Sequence, residues 1–317
     1  MPTRLEHAIL STLAYYDSFS FPLTAFELWK WLHLESPGIV PSYGDLQQNL
    51  EESVFLREKI ERRDGMYVLR GRSEIVDIRR ERYLFAERKY QRLGHALRLL
   101  RFVPFIRAIA VCNSLAFSNA RSESDVDLLI ITDRTHLWTA RMFGTGLAAL
   151  LRWRPTPERS EDTLCLSFYL ADPVASLATL LLSVDDIYMR HWIDHLVPVY
   201  GDTTLVDRLR GANPWHRDQV PNAYGVMPAS RRRTRDTRAS RLVKYALEAL
   251  HQGPVGRMLE HRYGAWQKKH LPEKLKALAN KDTRVVMNET MLKFHENDRR
   301  EVYARTYALR LQELLSS

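Results

Sequence analysis

The chain has 317 residues, 45% of them hydrophobic and 27% charged, which is enough apolar material for about two or three folded domains and excludes a disordered polypeptide. No apolar run approaches the roughly 20 residues of a membrane span, and the N-terminus lacks the pattern of a signal peptide. The net charge of +9 favours a polyanionic partner, and the two cysteines, in apolar runs, indicate buried, reduced thiols in a cytoplasmic protein.

Residues 1–72 have the pattern of a small separate domain. Apolar residues at helical spacing begin at Leu5, Thr24 and Glu27 form a capping box for a second helix, and a third helix is predicted from Ser42 to Glu52. Asp64-Gly65 between two strand-like runs predicts a hairpin. This order resembles a winged helix. Because its third helix is acidic to neutral, a contact with protein or RNA is at least as well supported as DNA reading.

Residues 73–101 predict one long amphipathic helix that is rich in arginine. Its charge is compatible with a contact to nucleic acid. The other interpretation is a solvated helix face that links two domains.

Residues 102–212 contain a polar turn followed by an acidic strand. Ile106–Val111 predicts a strand, Asn113 and Ser114 lie in the turn after it, and Asp125 and Asp127 open a very apolar run. Side chains two residues apart share one face of a strand, so the two carboxylates project together. Two convergent carboxylates are what divalent cations need to clamp a nucleoside triphosphate.

The stretch from Asn113 to Thr132 resembles the signature of the DNA polymerase beta-like nucleotidyltransferase superfamily, in which a strand, a Gly-Ser turn, a spacer and an Asp-x-Asp strand follow one another. The resemblance implies Mg²⁺ (or Mn²⁺) ligands (Asp125 and Asp127) and contacts to the NTP (Asn113, Ser114, Arg121 and Ser124). Asn113 stands where the signature has glycine. Asparagine tolerates a left-handed backbone, although it adds a side chain where a phosphate should approach.

Many members of that superfamily carry a third carboxylate on the next strand, which is predicted here at Leu164–Leu170. The inward face of this strand is either Cys165, Ser167 and Tyr169, or the alternate apolar residues, and neither face contains an acid. Glu161 and Asp162 lie just before the strand. We therefore take Asp162 as the candidate third catalytic carboxylate, on the condition that the strand enters the site at its edge.

Residues 213–317 predict a basic linker and a helical domain. The linker contains candidate contacts for RNA or another polyanion (Arg231, Arg232, Arg233 and Arg235), although a solvated linker is an equal alternative. Further on, His295 and Arg299 precede the last helix, where they serve either a substrate phosphate or a capping network.

The expected fold is therefore α+β, with an N-terminal winged helix, a central nucleotidyltransferase palm built on a small mixed sheet, and a C-terminal helical region. The expected function is metal-dependent transfer of NMP from an NTP to a hydroxyl of an RNA end, a protein or a small molecule, with release of pyrophosphate. One alternative is a catalytically inactive module that binds nucleotides or nucleic acid. Another is a regulatory protein, such as a toxin–antitoxin component, with a protein target.

Overall fold

The computed structural model describes residues 2–36, 38–156, 158–172, 176–183 and 185–316, and shows a mixed α+β chain with two sheets. The helices are α1 (Arg4–Asp17), α2 (Ala25–Lys30), α3 (Tyr43–Glu52), α4 (Val54–Lys59), α5 (Ile75–Leu100), α6 (Asn113–Ala116), α7 (Leu137–Leu150), α8 (Ile187–His195), α9 (Thr204–Gly211), α10 (Arg238–Leu250), α11 (Gly253–Lys269), α12 (Glu273–Leu278) and α13 (Arg300–Ser316). The strands are β1 (Leu23–Thr24), β2 (Ile60–Arg63), β3 (Met66–Leu69), β4 (Ile106–Val111), β5 (Val126–Thr132), β6 (Leu164–Ala171), β7 (Val197–Gly201), β8 (Val285–Met287) and β9 (Met291–Phe294). Within the described ranges, every helix is too short or too polar to cross a bilayer.

The N-terminal region contains the smaller sheet, an antiparallel arrangement in the order β1-β3-β2. The predicted hairpin is confirmed: Asp64 and Gly65 have φ of +52° and +80°, the left-handed values that a two-residue turn requires. The capping box of Thr24 and Glu27 is also confirmed at the start of α2. Helix α4 was not predicted, and Ser53 caps its N-terminus.

The larger sheet has six strands in the order β7-β4-β5-β6-β9-β8, and it is mixed because β5 and β6 run parallel while the other pairs are antiparallel. The apolar run of β5 lies at its centre. Leu128 and Ile130 pack into one core and Leu129 and Ile131 into another, on opposite faces. Both faces are therefore covered, which explains why this strand is continuously hydrophobic.

The C-terminal region is not only helical, contrary to the prediction. Strands β8 and β9 form a hairpin, and β9 pairs with β6 through the neighbours Phe168 and Lys293, so this part of the chain extends the central sheet. Without β9 the hydrogen-bonding groups along this edge of β6 would lack a strand partner. The predicted boundary at residue 213 therefore does not separate an independent helical unit.

The first and last helices pack against each other. The hydroxyl groups of Ser11 and Tyr307 are 2.7 Å apart, and Arg310 forms an ion pair with Asp17. Leu311 belongs to the same buried core as the residues of α1. The N-terminal region is thus packed against the rest of the chain.

Helix α10 turns its polar side towards the protein. Glu248 accepts hydrogen bonds from the Phe105 N–H and the Arg107 guanidinium, both at 2.7 Å. The apolar side chains of Leu242 and Tyr245 are 69% and 73% exposed. Polar contacts, and not burial of an apolar face, therefore hold this helix in place.

Candidate nucleotide and metal site

Asn113 forms the turn between β4 and the short helix α6. Its φ is +56°, so it adopts the left-handed conformation that was predicted for this position. Its Nδ2 donates to Asp127 Oδ2 at 2.7 Å, and its Oδ1 accepts from the Tyr188 hydroxyl at 3.1 Å and from Trp192 Nε1 at 3.0 Å. The side chain that replaces the glycine of the signature therefore orients Asp127 and ties the turn to α8.

Asp125 and Asp127 form a pair of like charges in a mostly buried position. Burial, together with the charge of Asp127, raises the pKa of Asp125 to about 6. Burial also raises the pKa of Asp127, although hydrogen bonds from Asn113 and Cys165 lower it in part. Neither carboxylate forms an ion pair with a lysine or arginine in the part of the chain that the structure describes. Carboxylate oxygens left without a protein cation are suitable ligands for Mg²⁺ or Mn²⁺.

A cavity of about 720 Å³ lies in front of these carboxylates. The structure brings six of the predicted site residues together in its wall (Asn113, Ser114, Arg121, Ser124, Asp125 and Asp127). Other parts of the wall come from both ends of the chain, including Phe19 after α1 and Tyr303 in α13. Its volume is within the range of small-molecule sites.

Cations line the same cavity, and several of them have no carboxylate partner. Arg82 donates to two neutral groups, the Phe19 carbonyl at 2.6 Å and Asn119 Oδ1 at 3.3 Å, and burial and the charge of Arg121 lower its pKa. Arg121 and Arg299 form no ion pair with any described residue. Uncompensated positive charge in a concave site favours an anionic ligand.

Arg300 and Lys293 also line the cavity, but both pair with Asp298, and Arg300 also pairs with Asp186. Arg300 Nη2 lies 2.7 Å and Lys293 Nζ 3.4 Å from Asp298 Oδ2. Burial alone would raise the pKa of Asp298, but the hydrogen bonds and charge of Arg300, with the charge of Lys293, lower it to about 2. Asp298 is thus a carboxylate that holds two cations in place.

The third strand of the site, β6, is confirmed, and its register is irregular. Asp127 is paired with Cys165, whereas Leu129 is paired with Phe168, so a bulge separates the two pairs. As a result Cys165 and Phe168 both line the cavity, one from each of the two predicted alternatives for the inward face. The residue beside Asp127 is a thiol, and no carboxylate occupies that place.

The structure does not bring Asp162 together with Asp125 and Asp127. Its carboxylate is almost fully buried and lies 2.8 Å from Lys89 Nζ, and it also pairs with Arg92. Lys89 in turn donates to the carbonyl of Ser124 at 2.6 Å. Lys89 therefore ties both Asp162 and the loop before Asp125 to α5. The cations of α5 hold the side chain of Asp162 away from the cavity.

His295 and Arg299 both line the cavity. Their contact with a substrate phosphate stays a prediction. The polar residues that follow β9 were the feature of the sequence that indicated these two residues. Sequence reasoning missed Tyr188 and Asp298 in the cavity wall, and it gave Arg82 no role in the site. These three residues are distant from the motif along the chain, so only the tertiary fold reveals their place.

The arginine segment that was predicted to bind a polyanion is partly engaged within the protein. Arg231 and Arg232 both pair with Glu87 of α5, and the Arg232 guanidinium carbon lies 3.9 Å from the centroid of the Tyr90 ring. Arg233 is half-buried and Arg235 is exposed. Arg235 is therefore more accessible to a polyanion than Arg232.

No protein-family model, curated protein or solved structure matches the chain. The resemblance of Asn113–Thr132 to the nucleotidyltransferase signature thus stays a prediction from sequence. The chemistry proposed for the site depends on the residues that the fold assembles around Asp125 and Asp127.

Proposed function

We propose that the chain is a metal-dependent nucleotidyltransferase that transfers NMP from an NTP to a hydroxyl acceptor and releases pyrophosphate. The observation that carries this proposal is the Asp125 and Asp127 pair, which forms no ion pair with any described lysine or arginine. The same cavity contains arginines that have no carboxylate partner among the described residues. A metal–triphosphate complex satisfies both halves of the cavity at once. Its cation compensates the carboxylates and its phosphates compensate the arginines.

Asp125 and Asp127 would hold Mg²⁺ or Mn²⁺, and the carboxylate oxygens fit these oxygen-seeking ions. When bound, the metal would neutralise phosphate charge and orient the reacting groups. Asn113 fixes the orientation of Asp127 by its 2.7 Å hydrogen bond. The hydroxyl of Ser114, in the adjacent turn, contributes a donor to the same cavity.

Arg82, Arg121 and Arg299 bind and neutralise the phosphates in this proposal. In the transfer step, the acceptor oxygen forms a bond to the α-phosphorus, and the bond from that phosphorus to the oxygen of the β-phosphate breaks. The electron pair of that bond leaves with pyrophosphate, and the acceptor proton passes to solvent. Positioning and charge neutralisation supply most of the catalysis in phosphoryl transfer, so a site without a carboxylate on β6 can still act.

The winged helix and the nucleotidyltransferase palm are part of the same proposal. The hairpin β2–β3, after α1 to α4, would be the wing of a winged helix, and β4, β5 and β6 would be the palm that presents the carboxylates. In this arrangement the N-terminal region forms one wall of the cavity through Phe19.

The test measures transfer of label from each α-³²P-labelled NTP, with Mg²⁺ or Mn²⁺, into total RNA, total protein and small molecules. We expect label in one of these fractions, and its loss in the double variant Asp125→Asn/Asp127→Asn. Asp77→Asn is the matched control, since Asp77 is an exposed carboxylate of α5 that does not line the cavity. No incorporation from any nucleotide by the folded protein would contradict the proposal.

A second function, a module that binds nucleotide without transferring it, is favoured by one observation. The neighbour of Asp127 on β6 is Cys165, where a catalytic carboxylate was sought. Such a module would bind Mg²⁺–NTP in an equilibrium titration and lose that binding in the double variant, yet give no label in any fraction. Binding and incorporation measured side by side therefore distinguish the two functions.

A further inference from the structure

Three potential metal ligands of different chemistry converge at one side of the cavity. Asp127, Cys165 and His295 each present one donor atom, an oxygen, a sulfur and a nitrogen, and these atoms lie within 4.8 Å of one another. All three residues line the cavity. The described residues contain no other such group of three.

The register of the sheet explains this convergence. Asp127 and Cys165 are direct neighbours on the parallel strands β5 and β6. On the other side of β6, Lys293 of β9 is paired with Phe168, and the antiparallel direction brings His295, two residues further on, back towards Cys165. The His295 N–H donates to the Arg284 carbonyl at 3.0 Å, which fixes its backbone beside the start of β8. Three elements of the central sheet therefore position the donor atoms.

We propose that Asp127, Cys165 and His295 form a binding site for a borderline transition-metal ion of the Zn²⁺ and Co²⁺ class. Thiolate and imidazole ligands suit such ions, whereas Mg²⁺ prefers oxygen. The ligand atoms around a tetrahedral Zn²⁺ are roughly 3.5 Å apart, so small side-chain rotations would close the group on an ion. Three protein ligands leave a fourth position, as in catalytic zinc sites, and that position would face the cavity.

This site goes beyond the proposed nucleotide transfer, because it requires no nucleotide and does not include Asp125. The two sites share Asp127, so a substitution of Asp127 affects both of them. Asp125 belongs only to the nucleotide–metal site, and Cys165 and His295 belong only to the proposed transition-metal site. Substitutions can therefore remove either site alone.

The test is a titration of the nucleotide-free, EDTA-treated full chain with Co²⁺, followed by absorption spectroscopy. We expect a thiolate-to-Co²⁺ charge-transfer band in the near ultraviolet at one equivalent, and its disappearance in Cys165→Ser. Cys112→Ser is the matched control and should keep the band, because Cys112 is the only other cysteine and is outside the group. In His295→Gln, affinity for Zn²⁺ measured by displacement of Co²⁺ should fall at least about tenfold.

A second measurement uses only the unmodified chain, so its result does not depend on whether a variant folds. In the unmodified chain, Zn²⁺ should slow alkylation of Cys165 by iodoacetamide, as read by peptide mass spectrometry, while Mg²⁺ at the same concentration should not. Absence of the charge-transfer band in the unmodified chain, an unchanged band in Cys165→Ser, or equal alkylation with and without Zn²⁺ would overturn the inference.

The outcome is distinguishable from that of the proposed function. Asp125→Asn should keep the Co²⁺ band and lose nucleotide incorporation, since it removes a ligand of the nucleotide–metal site alone. Incorporation of label by an unmodified chain without a Co²⁺ band would reject the transition-metal site and leave the transferase. A band in a chain that transfers no nucleotide would support the site and reject the transferase.

Discussion

At the scale of single residues, Asn113 serves both the backbone and the carboxylate of the site. Its left-handed φ of +56° follows from the sequence, because asparagine and glycine are the residues that tolerate this conformation. Its hydrogen bonds to Asp127 and Trp192 do not, since they depend on where α8 packs. A motif in the sequence thus indicates the turn, but only the fold indicates what the side chain of that turn contacts.

The backbone and side-chain roles of Asn113 can be separated by two substitutions. Asn113→Gly and Asn113→Ala lose the same hydrogen bonds, but only alanine keeps a Cβ in the left-handed conformation. We expect Asn113→Ala to have a lower free energy of unfolding than Asn113→Gly by about 1 kcal/mol, measured by urea denaturation. Equal stability of the two variants would contradict the backbone assignment.

Asp298 gives a prediction about pH. Its pKa in the folded protein is about 2, mainly because Arg300 outweighs the effect of burial, whereas the usual value for aspartate is 3.8. A lowered pKa stabilises the folded state above the ordinary pKa, and this contribution is lost as the pH falls through the folded value.

Asp298→Asn should therefore be less stable than the unmodified chain at pH 6, by on the order of 1 kcal/mol, since partial solvent contact weakens the interaction. The difference in free energy of unfolding should shrink between pH 4 and pH 2, as measured by urea denaturation at each pH. Glu289→Gln, a variant at an exposed carboxylate, is the control and should show no such trend. A difference that stays constant down to pH 2 would argue against the ion pairs of Asp298.

At the scale of elements, local signals were sufficient for some predictions and not for others. The Asp64-Gly65 hairpin and the capping box at Thr24 are confirmed, because each depends on residues close together in the chain. The pairing of β9 with β6 and the bulge beside Cys165 were not foreseen. Both depend on which distant strand meets an edge, and a short run such as Met291–Phe294 does not encode its partner.

Substitutions on the two sides of helix α10 test whether its polar side, and not its exposed apolar side, holds it against the protein. Glu248→Ala would leave the Phe105 N–H without its acceptor and the Arg107 guanidinium with only Asp133 Oδ2 at 3.4 Å, so we expect a loss of about 2 kcal/mol in the free energy of unfolding. Leu242→Ala, on the exposed apolar side, should change it by less than about 0.5 kcal/mol. Thermal and urea unfolding of both variants measure the difference. A larger effect of the Leu242 substitution would mean that this face is covered in solution.

At the scale of the whole molecule, the two ends of the chain close the cavity together. Ser11 and Tyr307 are in hydrogen-bond distance, Arg310 pairs with Asp17, and Leu311 shares a core with α1. Division of the sequence by composition placed these parts in separate domains, because a contact between residues that are distant along the chain leaves no local pattern.

This packing predicts cooperative unfolding. We expect calorimetry of the full chain to show one transition, with equal calorimetric and van't Hoff enthalpies, because the N-terminal core also includes Ile187, Val220 and Leu311 from the rest of the chain. Tyr307→Phe, which removes the hydrogen bond to Ser11, should lower the midpoint of this same transition without splitting it. Two resolved transitions in the unmodified chain would show that the N-terminal region folds independently.

The contribution of α13 to the cavity also determines when in synthesis a working site can exist. The ribosome releases Asp125 and Asp127 long before Arg299 and Tyr303, which complete the wall. Until β9 emerges, the β6 edge has no partner there, and the acidic pair lacks Arg299, one of the cations proposed to hold phosphate. A growing polypeptide therefore carries the carboxylates without the complete pocket, and ligand capture should begin only after these late residues have been made and have docked.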